Sequence, residues 1–313
     1  MRTHDGWRYA LVAALLAALL ASAALGAETQ STSWEQLQAL YDYDHLLPLQ
    51  AQITGTATNN YYITERMTLR AVDNTPIPAI LHRPNVDGPV PCVLLLHGYG
   101  GDKESYSTPM AMLMAPQGIA VMAIDARLHG ERAQDGVGMW SQDLRMTLEA
   151  MVKTVIDNRR ALDYLDSRAD IVHDRYMLLG ISMGGILGAI LGPVDERVKS
   201  AVLIVAGGRL DTMFLRSDFP AVAALREAGV TGEMLAQYLY RIEPLNFIGH
   251  FAPRPLLFVN GTEDKIIPRE NTEMLHQAAC EPKQLVWYEG GHIPPPQTVM
   301  SAVGQFVRAN MLN

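Results

Sequence analysis

Residues 178–190, LLGISMGGILGAI, place a serine between two glycines where two sequence patterns meet. An apolar run typical of a buried strand precedes the serine, and a helix-like apolar run follows it. Glycine allows backbone angles that larger residues resist, so a purely structural strand-to-helix turn would also favour it. Such a turn would equally lift the hydroxyl of Ser182 clear of a sheet, where it could attack a substrate. The remainder of the chain decides between the two interpretations.

Short apolar runs alternate with longer helical segments on both sides of this stretch. The runs are CVLLL (92–96), IAVMAI (119–124), YMLLG (176–180), AVLIV (201–205), LLFV (256–259) and QLVWY (284–288). Unbroken apolar strands indicate a parallel sheet that is covered on both faces. Ahead of them, YYITERMTLRA and IPAILHRP flank the turn VDNTP and predict an antiparallel pair. We therefore predict an α/β fold with a mostly parallel central sheet and helices on both faces.

The N-terminus has the features of an export signal. A basic start leads into the apolar run 9–25, and small residues follow it. This order predicts a secretory signal peptide over residues 1–27, cleaved between Ala23 and Ala27. A membrane anchor is the alternative, although the run is at the lower limit of the ~17–25 residues that a span needs. The expected location is periplasmic or secreted.

Composition describes a folded and acidic chain. Of 313 residues, 49% are hydrophobic and 19% are charged, which excludes a disordered composition. Removal of residues 1–27 takes away Arg2, Arg8 and Asp5, and so changes the formal charge from −8 to −9. A chain of this charge has no general attraction for nucleic acid or for anionic membranes. We predict neither a nucleic-acid partner nor stable membrane insertion after cleavage.

The mature chain divides into an extension and one large domain. Residues 28–60 are polar and contain a possible amphipathic helix in WEQLQALYDYDHLLPL, and residues 61–313 form the α/β domain. The two apolar runs that bracket residues 206–255 are further apart than a plain crossover requires. We predict a helical cap over one edge of the sheet, at about residues 208–250. Its two helices are expected at the segments AVAALREA and GEMLAQYLYR, near 219–228 and 232–241 respectively.

Chemically active side chains follow the ends of the predicted strands. Ser182 follows the third apolar run, Asp264 the fifth and His292 the last. Ligands of open α/β sheets bind outside the carboxyl ends of the strands, so these side chains are expected to lie close together. A serine hydroxyl is a weak nucleophile without a base, histidine supplies that base, and an acid holds the imidazole in the required tautomer. The sequence therefore favours a nucleophilic role for the serine.

The acid is the least determined member of this set. Asp125 follows the second apolar run, Asp211 follows the fourth, and Glu263 is adjacent to Asp264. Asp125 precedes the serine along the chain, and Asp211 lies at the start of the predicted cap. We favour Asp264 because its loop lies next to the loop that carries His292.

The chain resembles the α/β-hydrolase superfamily at several motifs. GISMG, residues 180–184, matches the G-x-S-x-G nucleophile elbow, and the order serine, aspartate, histidine is that of the superfamily. HGYGGDKESY, DARLHGER, LLGISMGG and APRPLLFVNGTEDKIIP are similar to the dienelactone-hydrolase-like and acetyl-xylan-esterase-like branch, over roughly residues 60–310. Dienelactone hydrolases carry a cysteine nucleophile, and the serine here points to ordinary carboxylic esters.

The resemblance implies a serine carboxylesterase that forms an acyl-enzyme on Ser182. It assigns Asp264 and His292 to the catalytic triad, and the backbone N–H groups of Tyr99 and Met183 to the oxyanion hole. It implies a small-molecule ester substrate and no cofactor. No metal-binding motif is present in the sequence. A peptidase of the prolyl-oligopeptidase type and a non-catalytic binding protein on a hydrolase scaffold remain as alternatives.

Other residues near these motifs have expected structural roles. In this family, His97 is expected to brace the oxyanion loop, and Asp125 and Arg127 are expected to fix a neighbouring loop. Arg127 and Trp140 are further candidates for the wall of a pocket. Cys92 lies in a central predicted strand and Cys280 lies before the edge strand. Several strands at ~4.8 Å spacing would separate the two sulfurs, which exceeds disulfide reach, so we predict two buried free thiols.

Overall fold

The computed structural model describes residues 32–141, 143–216, 225–227 and 229–312. The predicted signal peptide lies outside these residues. Nine strands of the described chain form one sheet, in the order β1-β2-β3-β5-β4-β6-β7-β8-β9. They are β1 (Gln52–Thr58), β2 (Tyr62–Arg70), β3 (Pro76–Pro84), β4 (Val90–Leu96), β5 (Ala120–Ile124), β6 (Ile171–Ile181), β7 (Val198–Ile204), β8 (Leu256–Gly261) and β9 (Lys283–Tyr288).

Helices connect the strands and cover the sheet. They are α1 (Trp34–Ala39), α2 (Lys103–Met114), α3 (Leu144–Asp166), α4 (Met183–Val194), α5 (Leu210–Arg216), α6 (Gly232–Leu239), α7 (Arg269–Ala278) and α8 (Pro296–Met311). The pairs β1–β2, β2–β3 and β3–β5 are antiparallel. The remaining pairs, β5–β4, β4–β6, β6–β7, β7–β8 and β8–β9, are parallel. The prediction of a mostly parallel α/β sheet with an antiparallel start is confirmed.

The two faces of the sheet explain why the strands read as unbroken apolar runs. In β4, Cys92, Leu94 and Leu96 point into one core layer, which also contains residues of α3 and α4. Val93 and Leu95 point into the other, which contains residues of α2 and α8. Side chains alternate along a strand, so a strand covered on both sides has no polar face. All six predicted runs are strands of this sheet.

The N-terminal region differs from the sequence expectation in two ways. The predicted amphipathic helix is short, since α1 ends at Ala39. Strand β1 was not predicted at all, because six of its seven residues are exposed and it shows no buried alternation. It pairs with β2 at the edge of the sheet, with an irregularity between Ile53 and Gly55.

The described part of the segment between β7 and β8 includes α5, α6 and three short 3₁₀ turns. The predicted helix near 232–241 corresponds to α6 and the following turn Tyr240–Ile242. The predicted helix near 219–228 lies mostly outside the described residues. Within the described parts of the chain, no helix is both long and apolar enough to cross a membrane.

The two cysteines are both free, but they differ in environment. Cys92 is buried in the central strand β4, as predicted. Cys280 is exposed, so the prediction that it is buried was wrong. The reason is its position: it follows the end of α7 and precedes β9 at the sheet edge, where little of the fold covers it.

Candidate active site

Ser182 occupies a sharp turn between β6 and α4. Its backbone angles are φ 55° and ψ −117°, a region that residues other than glycine rarely adopt. The backbone holds this conformation from both sides. The Ser182 N–H donates to Ile204 O at 2.9 Å, and the Ser182 carbonyl accepts from the Ile186 N–H at 3.0 Å. The turn leaves the hydroxyl partly exposed at the carboxyl end of the sheet.

The two glycines of the motif are required by close packing. A Cβ at Gly180 would lie 2.3 Å from Gly184 O, and a Cβ at Gly184 would lie 2.0 Å from Leu96 O. Both contacts are with backbone atoms, which a small side-chain movement cannot relieve. The G-x-S-x-G spacing therefore reflects the approach of the elbow to its own helix and to the end of β4.

Three predicted residues form a continuous hydrogen-bonded chain. The Oγ of Ser182 lies 2.8 Å from Nε2 of His292, and Nδ1 of His292 lies 2.7 Å from Oδ2 of Asp264. When Nδ1 carries the proton and donates it to the carboxylate, Nε2 is free to accept the serine proton. The geometry therefore provides a hydroxyl, a base and an orienting acid in order.

The orientation of Asp264 is fixed by a second set of contacts. Its side chain is fully buried, and Oδ1 accepts the backbone N–H groups of Ile266 and Ile267, both at 2.9 Å. The other two candidate acids lie elsewhere. Asp125 accepts from Lys103 and from the Glu131 backbone, and Asp211 pairs with Arg209.

The predicted oxyanion donors lie beside Ser182. Met183 opens α4, and the first N–H groups of a helix have no intrahelical acceptor and face a developing anion favourably. Tyr99 directly follows Gly98, which approaches Ser182 closely. A Cβ placed on Gly98 would lie 3.6 Å from the Cβ of Ser182. Tyr99, Met183, Ser182 and His292 line one cavity. The two residues that carry the predicted donors therefore line the same cavity as Ser182.

His97 links the oxyanion loop to the neighbouring loop. Its ring is buried, and Nδ1 lies 2.8 Å from the carbonyl oxygen of Gly98. Nε2 accepts a hydrogen bond of 3.0 Å from the backbone N–H of Ala126. Burial lowers the pKa of His97, so the ring stays neutral and retains one donor and one acceptor. These contacts agree with the expected bracing role.

The loop that follows β5 is held by ion pairs. Lys103 contacts the buried Asp125 at 3.0 Å, and Arg127 contacts Asp157 at 2.6 Å and Asp73 at 2.8 Å. Arg127 lines a separate cleft, together with Glu131 and Arg132 of the same loop. Of the two candidates for the pocket wall, Trp140 therefore lines the cavity at Ser182, whereas Arg127 does not contribute to its described wall.

The cavity has a volume of about 550 Å³. Its described wall is largely apolar, and sequence reasoning had identified only Trp140 among these side chains. The apolar members are Trp140, Met183, Ile186, Leu210, Met213, Phe214, Ile266 and Ile267. Helix α5 contributes three of them, and its sequence shows only the pattern of an ordinary amphipathic helix. Among the described residues there is no group of three or more metal-ligating side chains.

A serine on a strand–helix elbow, joined through histidine to a buried aspartate, has the geometry of a serine-hydrolase triad. The sequence profile of the alpha/beta hydrolase family matches residues 93–303, which is most of the chain and includes all three side chains. The protein belongs to this family.

Relatives have sequences similar to this chain, and a solved structure has a similar fold. The chain is 26% identical over 289 residues to the putative hydrolase YtaP of Bacillus subtilis strain 168, covering 84% of this chain and 89% of that protein. It is 27% identical over 201 residues to the esterase YjfP of Escherichia coli K12, covering 62% and 77% respectively. The acetyl xylan esterase from Paenibacillus sp. R4 superimposes with a TM-score of 0.75 at 21% identity, covering 89% of this chain and 93% of that one.

Proposed function

We propose that the protein is a serine carboxylesterase that hydrolyses carboxylic esters through an acyl-enzyme on Ser182. The observation that carries the proposal is the pair of contacts at 2.8 Å and 2.7 Å that joins Ser182 to His292 and His292 to Asp264. Family membership supports it, as do a relative named as an esterase and a structural neighbour named as an acetyl xylan esterase.

The geometry accommodates a two-step reaction. Ser182 Oγ attacks the ester carbonyl carbon while Nε2 of His292 takes the hydroxyl proton, and the carbonyl oxygen becomes an oxyanion at the N–H groups of Tyr99 and Met183. The C–O bond to the alcohol then breaks, and His292 returns the proton to the departing oxygen. Loss of one oxyanion donor typically raises such a barrier by ~2.7–4 kcal/mol.

Deacylation repeats the same steps with water. His292 takes a proton from water, the hydroxide oxygen attacks the acyl carbon, and a second tetrahedral intermediate forms at the same donors. The bond to Ser182 Oγ breaks, the serine regains its proton from His292, and the free acid leaves. Asp264 accepts the hydrogen bond from Nδ1 of His292 and stabilises the imidazolium that forms in each step.

Paired assays test the reaction class. The purified protein is expected to hydrolyse p-nitrophenyl acetate and to leave aminoacyl-p-nitroanilides intact. Ser182→Ala is expected to abolish the ester reaction, whereas Ser301→Ala, which changes an exposed serine on α8, is expected to retain it. A faster anilide reaction would favour the peptidase interpretation. No turnover of either compound would favour a binding protein.

We also propose that the protein is exported. The proposal rests on the basic start, the apolar run 9–25 and the small residues that follow it. Mass spectrometry of secreted or periplasmic protein is expected to find an N-terminus between Ala24 and Glu28. Membrane-bound protein with an intact Met1 would contradict cleavage.

A further inference from the structure

Three aromatic side chains from separate segments form one wall beside Ser182. Trp140 and Phe214 pack edge to face with ring centroids 5.1 Å apart, and Tyr99 stacks on Trp140 at 6.4 Å. Tyr99 belongs to the oxyanion loop, Trp140 precedes α3, and Phe214 lies on α5. All three line the cavity that contains the nucleophile. A substrate at Ser182 therefore meets an aromatic surface.

The rest of the described wall provides few hydrogen-bonding groups. Ile186, Leu210 and Met213 continue the apolar surface. The described lining contains no Asp, Glu, Asn or Gln side chain. Its two basic residues, Arg216 and Lys265, are exposed, and Arg216 is paired with Glu270. Apart from Ser182, His292 and Tyr99, the polar side chains of the described wall are thus exposed, and its other side chains are apolar.

Size and polarity together restrict the substrate. A cavity of about 550 Å³ lies in the range that encloses drug-sized ligands, and an acetyl group alone would fill little of it. A sugar ring would bring several hydroxyl groups against apolar side chains. Each hydroxyl buried without a partner weakens binding by roughly tenfold, whereas an apolar group gains from leaving water.

We propose that this cavity binds a large apolar group of the ester, either aryl or medium-length alkyl, and discriminates against acetylated carbohydrates. The proposal rests on the esterase function above and names its substrate class. It separates this protein from the neighbour named as an acetyl xylan esterase, with which it shares the fold.

Two substrate series test the proposal, one varying the acyl group and the other varying the alcohol. In p-nitrophenyl acetate, butyrate and hexanoate, kcat/KM is expected to rise with chain length. Full burial of one methylene group supplies a factor of about four, so hexanoate should exceed acetate at least tenfold. Benzyl acetate should likewise exceed acetylated xylobiose at least tenfold. Flat profiles in both series, or a preference for acetylated xylobiose, would overturn the proposal.

Variants of the aromatic wall link the preference to the cavity. Trp140→Ala is expected to lower the hexanoate-to-acetate ratio of kcat/KM at least fivefold, and Trp140→Phe is expected to restore most of it. Trp287→Ala is the matched control, because Trp287 lies on β9 outside the described wall and should leave the ratio unchanged. An unchanged ratio in folded Trp140→Ala would show that this wall does not select the substrate.

Labelling with a fluorophosphonate separates this proposal from the esterase function on which it rests. Labelling at Ser182 together with flat ester profiles would leave the esterase function standing and overturn the substrate class. Absence of both labelling and ester hydrolysis would overturn the two together. Labelling with the expected profiles supports both.

Discussion

The substitution Asp264→Asn is expected to change which ring nitrogen of His292 carries the proton. In the native chain, Oδ1 accepts the N–H groups of Ile266 and Ile267, and Oδ2 faces Nδ1 of His292. An asparagine has a single oxygen. If its NH₂ group faced the two backbone donors, both would lose their acceptor, at about 1–3 kcal/mol each. The oxygen therefore stays with the backbone, and the NH₂ group turns towards His292.

The consequence is the wrong tautomer of His292. Because the NH₂ group can only donate, Nδ1 must accept, and the ring proton moves to Nε2. That nitrogen then donates to Ser182 Oγ and cannot take its proton. The corresponding change in a serine protease lowers turnover by roughly 10⁴. We expect a similar loss here, equivalent to about 5.4 kcal/mol in the barrier.

Steady-state kinetics with p-nitrophenyl acetate measure this loss. Thermal unfolding of the same preparation checks that the variant is folded. Asp211→Asn is the matched control: the buried Asp211 pairs with Arg209 rather than with His292, so its kcat should stay within about threefold of the wild type. A kcat for Asp264→Asn within tenfold of the wild type would refute the tautomer argument. A large loss in Asp211→Asn alone would move the acid to the cap.

Two further predictions concern stability. Gly184→Ala places a Cβ 2.0 Å from the backbone oxygen of Leu96 and should cost ~3 kcal/mol or more. Gly188→Ala meets the movable side-chain ends of Leu178 and Leu203 rather than backbone, and should cost ~1 kcal/mol. Urea unfolding measures both, and the reverse order would contradict the packing argument. Burial lowers the pKa of His82 from 6.5 to about 4 in the folded protein. As pH falls below 6.5, His82 therefore takes up a proton in the unfolded chain before it does so in the folded protein, which favours unfolding. The wild type should lose roughly 3 kcal/mol more than His82→Gln between pH 7 and pH 4, and equal losses would contradict the buried neutral ring.

The strands and the triad were predictable because each depends on local sequence or on strand order. The apolar runs are unbroken since both faces of the sheet are buried, and Ser182, Asp264 and His292 all follow strand ends. Parallel strands bring those ends to one edge, so proximity follows from topology. Strand β1 carried no such signal, because it is paired at the exposed edge.

The wall of the cavity was not predictable in the same way. Trp140 precedes a long helix and Phe214 lies in the segment between β7 and β8, and nothing in their local sequence indicates that the rings touch. Their contact depends on how that segment packs over the sheet. The exposure of Cys280 is also a tertiary property, since a residue just beyond a helix end is buried only if another element covers it. Local pattern thus indicated the three side chains that form the hydrogen-bonded chain, and tertiary packing determines the wall of the cavity.

The central claim is that Ser182 is a nucleophile, and covalent labelling tests it most directly. The purified protein is incubated with a fluorophosphonate, and the adduct is counted by intact-protein mass spectrometry and located by peptide sequencing. The account predicts one adduct per chain, on Ser182, and none in Ser182→Ala. Equal labelling of Ser182→Ala, or an adduct on another residue, would contradict the account.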